Sequence, residues 1–299
     1  MTEQKSPRIG VVGIPDGWSS LRLADAVAAR TGHRLLIDMS KVVADLARGK
    51  VMYGDVDLCT LDGLLIKKVG QSYSQGMLDR LEILRFVEAS GVPVFSKPES
   101  ILRLLDRLSC TVTLVAGGIP MPPTVVTENP LEAREAVKRF ERAVLKPLFS
   151  TKARGMVVLD ANDPELDEQI EEFQSAGNPV IYLQKFLKPQ ERDYGAMFLG
   201  GEHIGSYARV RGGDAWNTTI HSGGKYQPAD LAPEWIDLAY RAQALFNLEL
   251  TGVDLVETED GPMVFEVSAF GGFRGLLDAR NVDVAELYAD YALKKVRGE

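Results

Sequence analysis

The sequence is poor in cysteine. Cys59 and Cys110 are the only two among 299 residues, too few for a disulfide framework or a thiolate zinc site. They fit a reducing compartment and read as small core residues rather than nucleophiles. No apolar run approaches the roughly 18 residues of a membrane-spanning helix. The opening MTEQKSPR lacks the apolar core of a signal peptide. The expectation is a soluble, cytoplasmic protein with no membrane partner. Basic charge is in deficit, with 34 Lys and Arg against 42 Asp and Glu, a net charge of -8. That argues against nucleic acid or an anionic membrane as the main partner. There is no internal repeat and no low-complexity segment. What remains is ordinary globular composition, 45% apolar and 25% charged, in a chain long enough for two or three lobes.

The first third alternates strand and helix patterns. Residues 8–13 (RIGVVG), 33–38, 62–67 (DGLLIK) and 92–95 read as strands, and 21–30 and 77–90 as helices closed near Gly32 and Gly91. This order predicts an open parallel sheet. Gly10-Val11-Val12-Gly13 lacks the third glycine and adjoining helix start of a dinucleotide fingerprint, and is rejected as one. Apolar residues at helical spacing predict one helix over 98–116, closed by Gly117-Gly118 and an extended IPMPPT connector. Helices are expected at 130–140, 164–175, 233–246 and 283–295. Strands are expected at 143–147, 156–159, 180–187, 193–199 and 203–210, with a loop over 216–224.

Near the end, Val253–Glu257 (VDLVE) and Met263–Val267 (MVFEV) flank Glu259-Asp260-Gly261-Pro262, a hairpin pattern. If it is symmetric about Asp260, Asp254 lies opposite Glu266, with Ser268 on the same face. Paired positions put β-carbons about 5 Å apart, where two like charges repel. Two such carboxylates in apolar surroundings must share a proton or hold a cation. Oxygen-only ligands before a glycine-rich segment suit Mg2+ with a phosphate. On this segment alone, a surface hairpin with incidental acids accounts for the residues equally well.

Three other stretches carry chemistry. Lys146 ends a strand before the small, polar loop FSTKARG at 149–155. Such a loop can fold over a polyphosphate, with backbone N–H groups and the Ser150 and Thr151 hydroxyls donating and Lys146 and Lys152 as point charges. A plain hairpin with a basic tip is the simpler account of that segment. VIYLQKFL at 180–187 can offer backbone hydrogen bonds to an adenine edge, or can be a core strand with a polar edge. Asp193, Arg209, Arg211, Asn217 and Arg274 sit at strand ends or in glycine-flanked loops. Arginine beside a metal and phosphate can stabilise a transferred phosphoryl group, although each alone reads as a surface charge. His221 is positioned in a loop, where a base is the less common role.

In order and spacing, DGLLIKKVG, SKPESILRLLDRLSCTVTLVAGGIPMPPTVV, VLKPLFSTKARGMVVL, YLQKFL, ERDYGAMFLGGEHIGSYARV and GVDLVETEDGPMVFEVSAFGGFRG resemble the RimK-like carboxylate–amine ligases of the ATP-grasp superfamily. The resemblance covers nearly the whole chain. It implies an α/β (α+β) ATP-grasp fold. An N-terminal open parallel domain would span 1–96. An ATP-grasp domain would span 97–299, its two α+β lobes gripping ATP and a mobile lid lying at about 125–187. The implied cofactors are ATP and Mg2+, with Mn2+ as an alternative. The implied reaction moves the γ-phosphate to a carboxylate, and an amine then displaces it to give an amide, ADP and phosphate. The acceptor would be a small carboxylate or a peptide or protein, and a homo-oligomer is left open. Lys146, Ser150, Thr151 and Gly155 would face the phosphates. Gln184, Lys185, Phe186 and Leu187 would wall the adenine, Asp193 would meet the ribose, and Asn217 would join the nucleotide site. Asp254, Glu266 and Ser268 would hold the metal. Arg209 and Arg274 would face the transferred phosphate or the acceptor carboxylate.

The chain departs from the family pattern at several of these positions. Ser268 stands for asparagine, and Asp106-Arg107 for Asp-Lys. Lys185 replaces a hinge glutamate, and the phosphate loop keeps only Gly155. Counting back from Gly223-Gly224 puts Thr219, not Asn217, at the family's asparagine. These departures resemble the ATP-grasp member of a bacterial gene group that also encodes an amphipathic helical protein and an HPr-kinase-like protein, which implies a peptide or protein acceptor. They also keep two alternatives open, a regulatory nucleotide-binding protein without ligase chemistry and an ATP-grasp kinase acting on a hydroxyl.

Overall fold

The computed structural model describes residues 6–71, 73–74, 76–151, 153–187, 191–213, 217–220 and 223–299. Two positions considered above, Lys152 and His221, lie outside the described residues.

β1 (Ile9–Val12) is buried along its whole length. A strand apolar on both faces needs cover on both, which an interior place in a parallel sheet provides. α1 (Trp18–Thr31) follows and ends at Gly32, whose φ of +69° lets its N–H reach Ala28 O. β2 (Leu36–Ile37) then pairs with β1. A small antiparallel sheet comes next, β3 (Val43–Asp45), β4 (Lys50–Tyr53) and β5 (Val56–Asp57). The strands expected above do not include it, because its mostly half-buried and exposed residues form no continuous apolar run. β6 (Gly63–Ile66), α2 (Gly76–Ala89) and β7 (Val94–Phe95) complete a parallel sheet of order β2-β1-β6-β7.

The helix expected over 98–116 is two helices, α3 (Pro98–Leu105) and α4 (Arg107–Ala116). Asp106 breaks it in an extended conformation and caps α4, its Oδ1 accepting from Leu108 N at 3.0 Å. Apolar spacing runs through the break unchanged, so periodicity does not reveal it. The break makes Arg107 the first residue of a helix.

A second lobe contains β8 (Thr124–Thr127), α5 (Pro130–Phe140), β9 (Arg142–Leu145), β10 (Val157–Asp160), α6 (Leu166–Ser175) and β11 (Ile181–Lys185). Its sheet, β10-β9-β11-β8, is antiparallel, and its helices close a core of their own around Val137, Leu145, Ile170 and Leu183. The third sheet uses β12 (Arg192–Leu199), β13 (Glu202–Val210), β14 (Lys225–Pro228), β15 (Leu250–Thr258) and β16 (Gly261–Ser268), in the order β14-β13-β12-β15-β16. α7 (Pro233–Ala244) packs against β12, β15 and β16. α8 (Arg274–Arg280) packs on β13 and β14, and α9 (Val284–Arg297) returns to α1.

The two larger cores cross residue 96. One runs from Val12 and Ile66 through Ile101 and Leu114 to Val253 and Val267. The other joins Ile9 and Leu23 to Tyr288 and Ala292. Ion pairs fasten the α1–α9 seam: Arg30 meets Asp290 and Glu286 at 2.5 and 2.6 Å, and Arg22 meets Asp283 at 2.5 Å. Among the described residues no helix is long and apolar enough to cross a membrane.

Lys67, at the carboxyl end of β6, ties the N-terminal sheet to the segment after β16. It is 2% exposed. Its Nζ donates to Phe270 O at 2.9 Å and Gly271 O at 2.7 Å, and lies 4.4 Å from the centroid of the Phe273 ring. Burial pushes this lysine down to about 7, and Lys68 adds repulsion. The sign of the linkage follows. Above the folded value the native chain has released a proton that the unfolded chain still holds, so stability rises with pH from about 7 towards the unfolded lysine value near 10.4. Lys67→Met should remove that contribution. Urea unfolding at a series of pH values should show wild type gaining on the variant as pH rises above about 7, by at most about 1.4 kcal/mol per pH unit. A constant difference between the two chains would contradict the assignment.

Candidate active site

The β15–β16 turn is tighter than symmetry about Asp260 implies. Thr258 pairs with Gly261 and Leu255 with Val264. Continued without interruption, that register would set Asp254 against Phe265. A β-bulge between Asp254 and Leu255 shifts it by one, leaving Phe265 unpaired and Glu266 opposite Asp254. The bulge also lets Val264 and Val267, three residues apart, both face the core. The expected pair is therefore present, but through a bulge rather than turn symmetry.

Each carboxylate has an arginine. Arg209 directs Nε and Nη2 at Asp193 Oδ1 and Oδ2, 2.9 and 2.7 Å, and its Nη2 is also 3.0 Å from Asp254 Oδ2. Asp193 and Arg209 are register partners on β12 and β13, and Gly195 stands opposite Asp254 on β15, so the pleat places these charges on one face. Glu266 Oε2 accepts from Arg107 Nη1 at 3.2 Å. The Asp254 side chain is 26% exposed and that of Glu266 44%, so Glu266 is more open than its apolar flanks predict. Burial pushes Asp254 up to about 6, against the pull of Arg209, and Glu266 and Asp193 add repulsion. Burial works against the Arg209 charge, but Asp254 and Asp193 outweigh it and hold the guanidinium well above its ordinary value.

Arg107 also reaches the loop after β9. Its Nε donates to Pro147 O at 3.3 Å, Nη2 to Ser150 O at 3.4 Å, and its backbone N to Leu148 O at 3.2 Å. One guanidinium thus bridges a candidate metal ligand on β16 and the candidate phosphate loop. The sequence reading noted Arg107 only as a departure from the family and gave it no role. Its signal was there in Asp106, a strong cap residue that can end one helix and start another.

Lys146 faces the same space. Its Nζ donates to Gln184 Oε1 and lies 5.5 Å from the centroid of the Phe265 ring. Burial pushes this lysine down to about 7, Arg107 pushes the same way, and Glu266 pulls it up. Gln184, expected along the adenine wall, is buried, and its amide bonds Lys146 and Thr124 Oγ1. Lys185 is exposed. Phe186 lies under the Arg142 guanidinium at 4.5 Å, and Leu187 is half-buried. In the loop, Ser150 Oγ donates to Pro147 O at 3.4 Å, Thr151 is half-buried, and Gly155 turns the chain at a φ of +66°.

Other expected residues stand further out. Asp193 accepts from Arg209 with both oxygens. Asn217 Oδ1 accepts from Thr219 N and Oγ1 at 3.1 and 2.8 Å, closing a local turn. Arg274 opens α8 with its guanidinium over the Trp18 ring at 4.8 Å. Ser268 is half-buried at the end of β16, and its carbonyl accepts from Thr251 Oγ1 at 2.8 Å. Tyr207, also absent from the sequence reading, fills the floor beside Arg209. A Cβ on Gly195 or Gly275 would come within 2.5 or 2.4 Å of its ring, so both positions require glycine.

The donor set suits a hard divalent cation. Asp254 and Glu266 offer oxygens from paired positions, and the Ser268 hydroxyl follows on the same strand. Among the described residues no group of three or more His, Cys, Asp or Glu gathers, at this site or elsewhere, so the two carboxylates are joined only by a hydroxyl. An Asp254 carboxyl lifted by burial, with Glu266 and Asp193 adding repulsion, is one whose charged form an added cation would favour.

Comparison with known proteins agrees with this geometry. Residues 105–291 match the RimK-like ATP-grasp domain. The chain is 25% identical to the tetrahydromethanopterin:alpha-L-glutamate ligase of Methanosarcina acetivorans, over 95% of this chain and 98% of that one. Identity to the enzyme of the same name from Methanocaldococcus jannaschii is 30%, over 73% and 76%. Among solved structures, the ATP-grasp ligase PsnB complexed with minimal precursor superposes with a TM-score of 0.75 at 20% identity, over 97% of this chain and 99% of that one. A RimK domain ATP-grasp protein from Sphaerobacter thermophilus gives 0.74 at 24%, over 96% and 99%. The chain belongs to the RimK-like ATP-grasp family.

Proposed function

We propose that the protein is an ATP-dependent, ADP-forming carboxylate–amine ligase. The observation that carries this is the convergence of Asp254, Glu266, Arg107, Arg209 and Lys146 from four separate stretches of the chain, α4, the end of β9, β13 and the β15–β16 hairpin. The γ-phosphoryl group passes to the acceptor carboxylate. An amine then attacks the acyl carbon, forming the amide as phosphate leaves. Asp254 and Glu266, with Ser268, would hold Mg2+, which supplies charge neutralisation to the phosphate oxygens. PsnB has been solved with Mg and ADP, which supports the same ion here. Peptide precursors bound to PsnB and to MdnC support a peptide or small carboxylate as acceptor.

The chain's own groups divide the work. Asp193 locks the Arg209 guanidinium so that it points along the carboxylate face without rotamer freedom. Arg107 couples the loop at 147–150 to Glu266, so a triphosphate entering that loop meets a guanidinium already in place. Lys146 is held by Gln184 against the Phe265 ring and gains its full charge when anionic oxygens arrive. Arg274, at the start of α8, would meet the transferred phosphate or the acceptor carboxylate.

Glu266→Gln should lower ADP formation by about two to three orders of magnitude without lowering the melting temperature. Undiminished turnover would remove the metal assignment. Lys146 yields a second expectation. Near pH 8 it is mostly neutral in the free chain, and a bound triphosphate raises its proton affinity, so nucleotide binding should take up a proton. Calorimetric titration in buffers of different ionisation enthalpy should detect uptake of up to about one proton, which Lys146→Arg should abolish. Equal uptake in both chains would place Lys146 away from the phosphates.

A further inference from the structure

The N-terminal sheet reverses its winding between β1 and β6. β1 leads through α1 to β2 on one side, while β6 and β7 add on the other. In open parallel sheets the crevice beyond the carboxyl ends of the two strands at such a reversal is the favoured place for a ligand. Here it is a cavity of about 290 Å³, on the order of ten water volumes. The loop after β1, the turn after β2, the loop after β6 and the first turns of α2 wall it.

Two opposite charges face this cavity, Asp38 and Arg80. Asp38 Oδ1 accepts from Ser40 N at 3.0 Å and Ser40 Oγ at 2.7 Å. Burial raises its proton affinity. The Ser40 hydrogen bonds, Lys41 and Arg80 outweigh that and keep it ionised. Arg80 Nη1 donates to Val69 O at 2.7 Å. Among the described residues, Asp38 Oδ2 and Arg80 Nε and Nη2 have no hydrogen-bond partner. No N···O contact within 4.0 Å joins the two side chains. Each charge is held by its own loop and lines the cavity, and the two act on each other across it without direct contact. A ligand with only a carboxylate would match Arg80 and meet Asp38 with repulsion, and a simple amine would do the reverse. A ligand bearing both signs a few ångströms apart satisfies both.

We propose that the crevice between β1 and β6 binds a free α-amino acid, its carboxylate on Arg80 and its ammonium on Asp38. Its role as the amine donor rests on the ligase reading above; its binding does not. The crevice adjoins the candidate active site through shared walls. Gln71 and Ser74 line the crevice, while Tyr73 between them borders Glu266 and Arg107 and packs edge-on against Phe270, ring centroids 6.3 Å apart. Trp18, just beyond the loop after β1, carries Arg274 on its ring.

Calorimetric titration of the full chain with each protein amino acid in turn, without nucleotide, tests this. At least one should bind saturably, and Asp38→Asn and Arg80→Met should each weaken it by about tenfold or more. The N-acetyl and C-amide forms of that amino acid should lose as much on the unaltered chain, a comparison that stands even where a variant folds poorly. The proposal is overturned if no amino acid binds, if both variants bind as wild type does, or if binding depends on only one of the two charges. A chain that binds an amino acid but forms no ADP would refute the ligase reading alone. ADP formation without amino-acid binding would refute the crevice alone.

Discussion

The repulsion between Asp254 and Glu266 is the constraint around which the other charges are placed. At the roughly 5 Å of a paired position, two full charges repel by about 3 kcal/mol at an effective dielectric of 20, less where solvent reaches them. The fold answers with a guanidinium on each, Arg209 from β13 and Arg107 from α4. Asp193 then holds Arg209. Three carboxylates and two guanidiniums leave one net negative charge, with Lys146 shared between its protonated and neutral forms. A divalent cation would turn the cluster positive, the sign that a polyphosphate requires. The same groups that make the free chain tolerable therefore make the loaded site attractive.

Two small irregularities produce this arrangement. Without the bulge, Asp254 would face Phe265. Without the break at Asp106, Arg107 would be an interior helix residue, not the first of α4, where its backbone and side chain both reach the loop at 147–150. Neither irregularity involves an unusual residue. Both redirect a side chain by interrupting a regular ladder, a common use of bulges and caps beside functional sites.

Much of this was legible in the sequence because it rests on periodicity and local turn chemistry. The parallel sheet, α1, α2, α5 and the closing helix all follow from apolar spacing and glycine stops. The carboxylate pair was legible too, although through an assumed turn symmetry that is not the one present: the bulge offsets the tighter turn. What was not legible depends on partners distant in sequence. Arg107 lies 159 residues from Glu266, and Lys67 reaches carbonyls 203 and 204 residues away. Gln184 looked too polar for a buried strand until Lys146 supplied its partner. β3, β4, β5 and β14 are mostly half-buried or exposed, so they lack the continuous apolar runs that mark β1 and β6.

The burial of Lys67 explains how the two halves of the molecule can share one site. An ammonium with 2% exposure is costly unless bonded, and its two acceptors are the carbonyls of Phe270 and Gly271, between Ser268 and Arg274. The backbone that carries a candidate metal ligand on one side and a candidate substrate arginine on the other is thus fixed to the end of β6. From that same strand end the chain continues past Val69, which holds Arg80, to Tyr73, which borders Glu266. A shift of β6 would therefore be felt in the crevice and at the carboxylate pair together. The lobe of β8 to β11 closes its own core and meets the carboxylates through Arg107, which bonds Pro147, Leu148 and Ser150 on one side and Glu266 on the other, so the candidate phosphate loop and the metal side are held to each other as β6 holds the segment after β16.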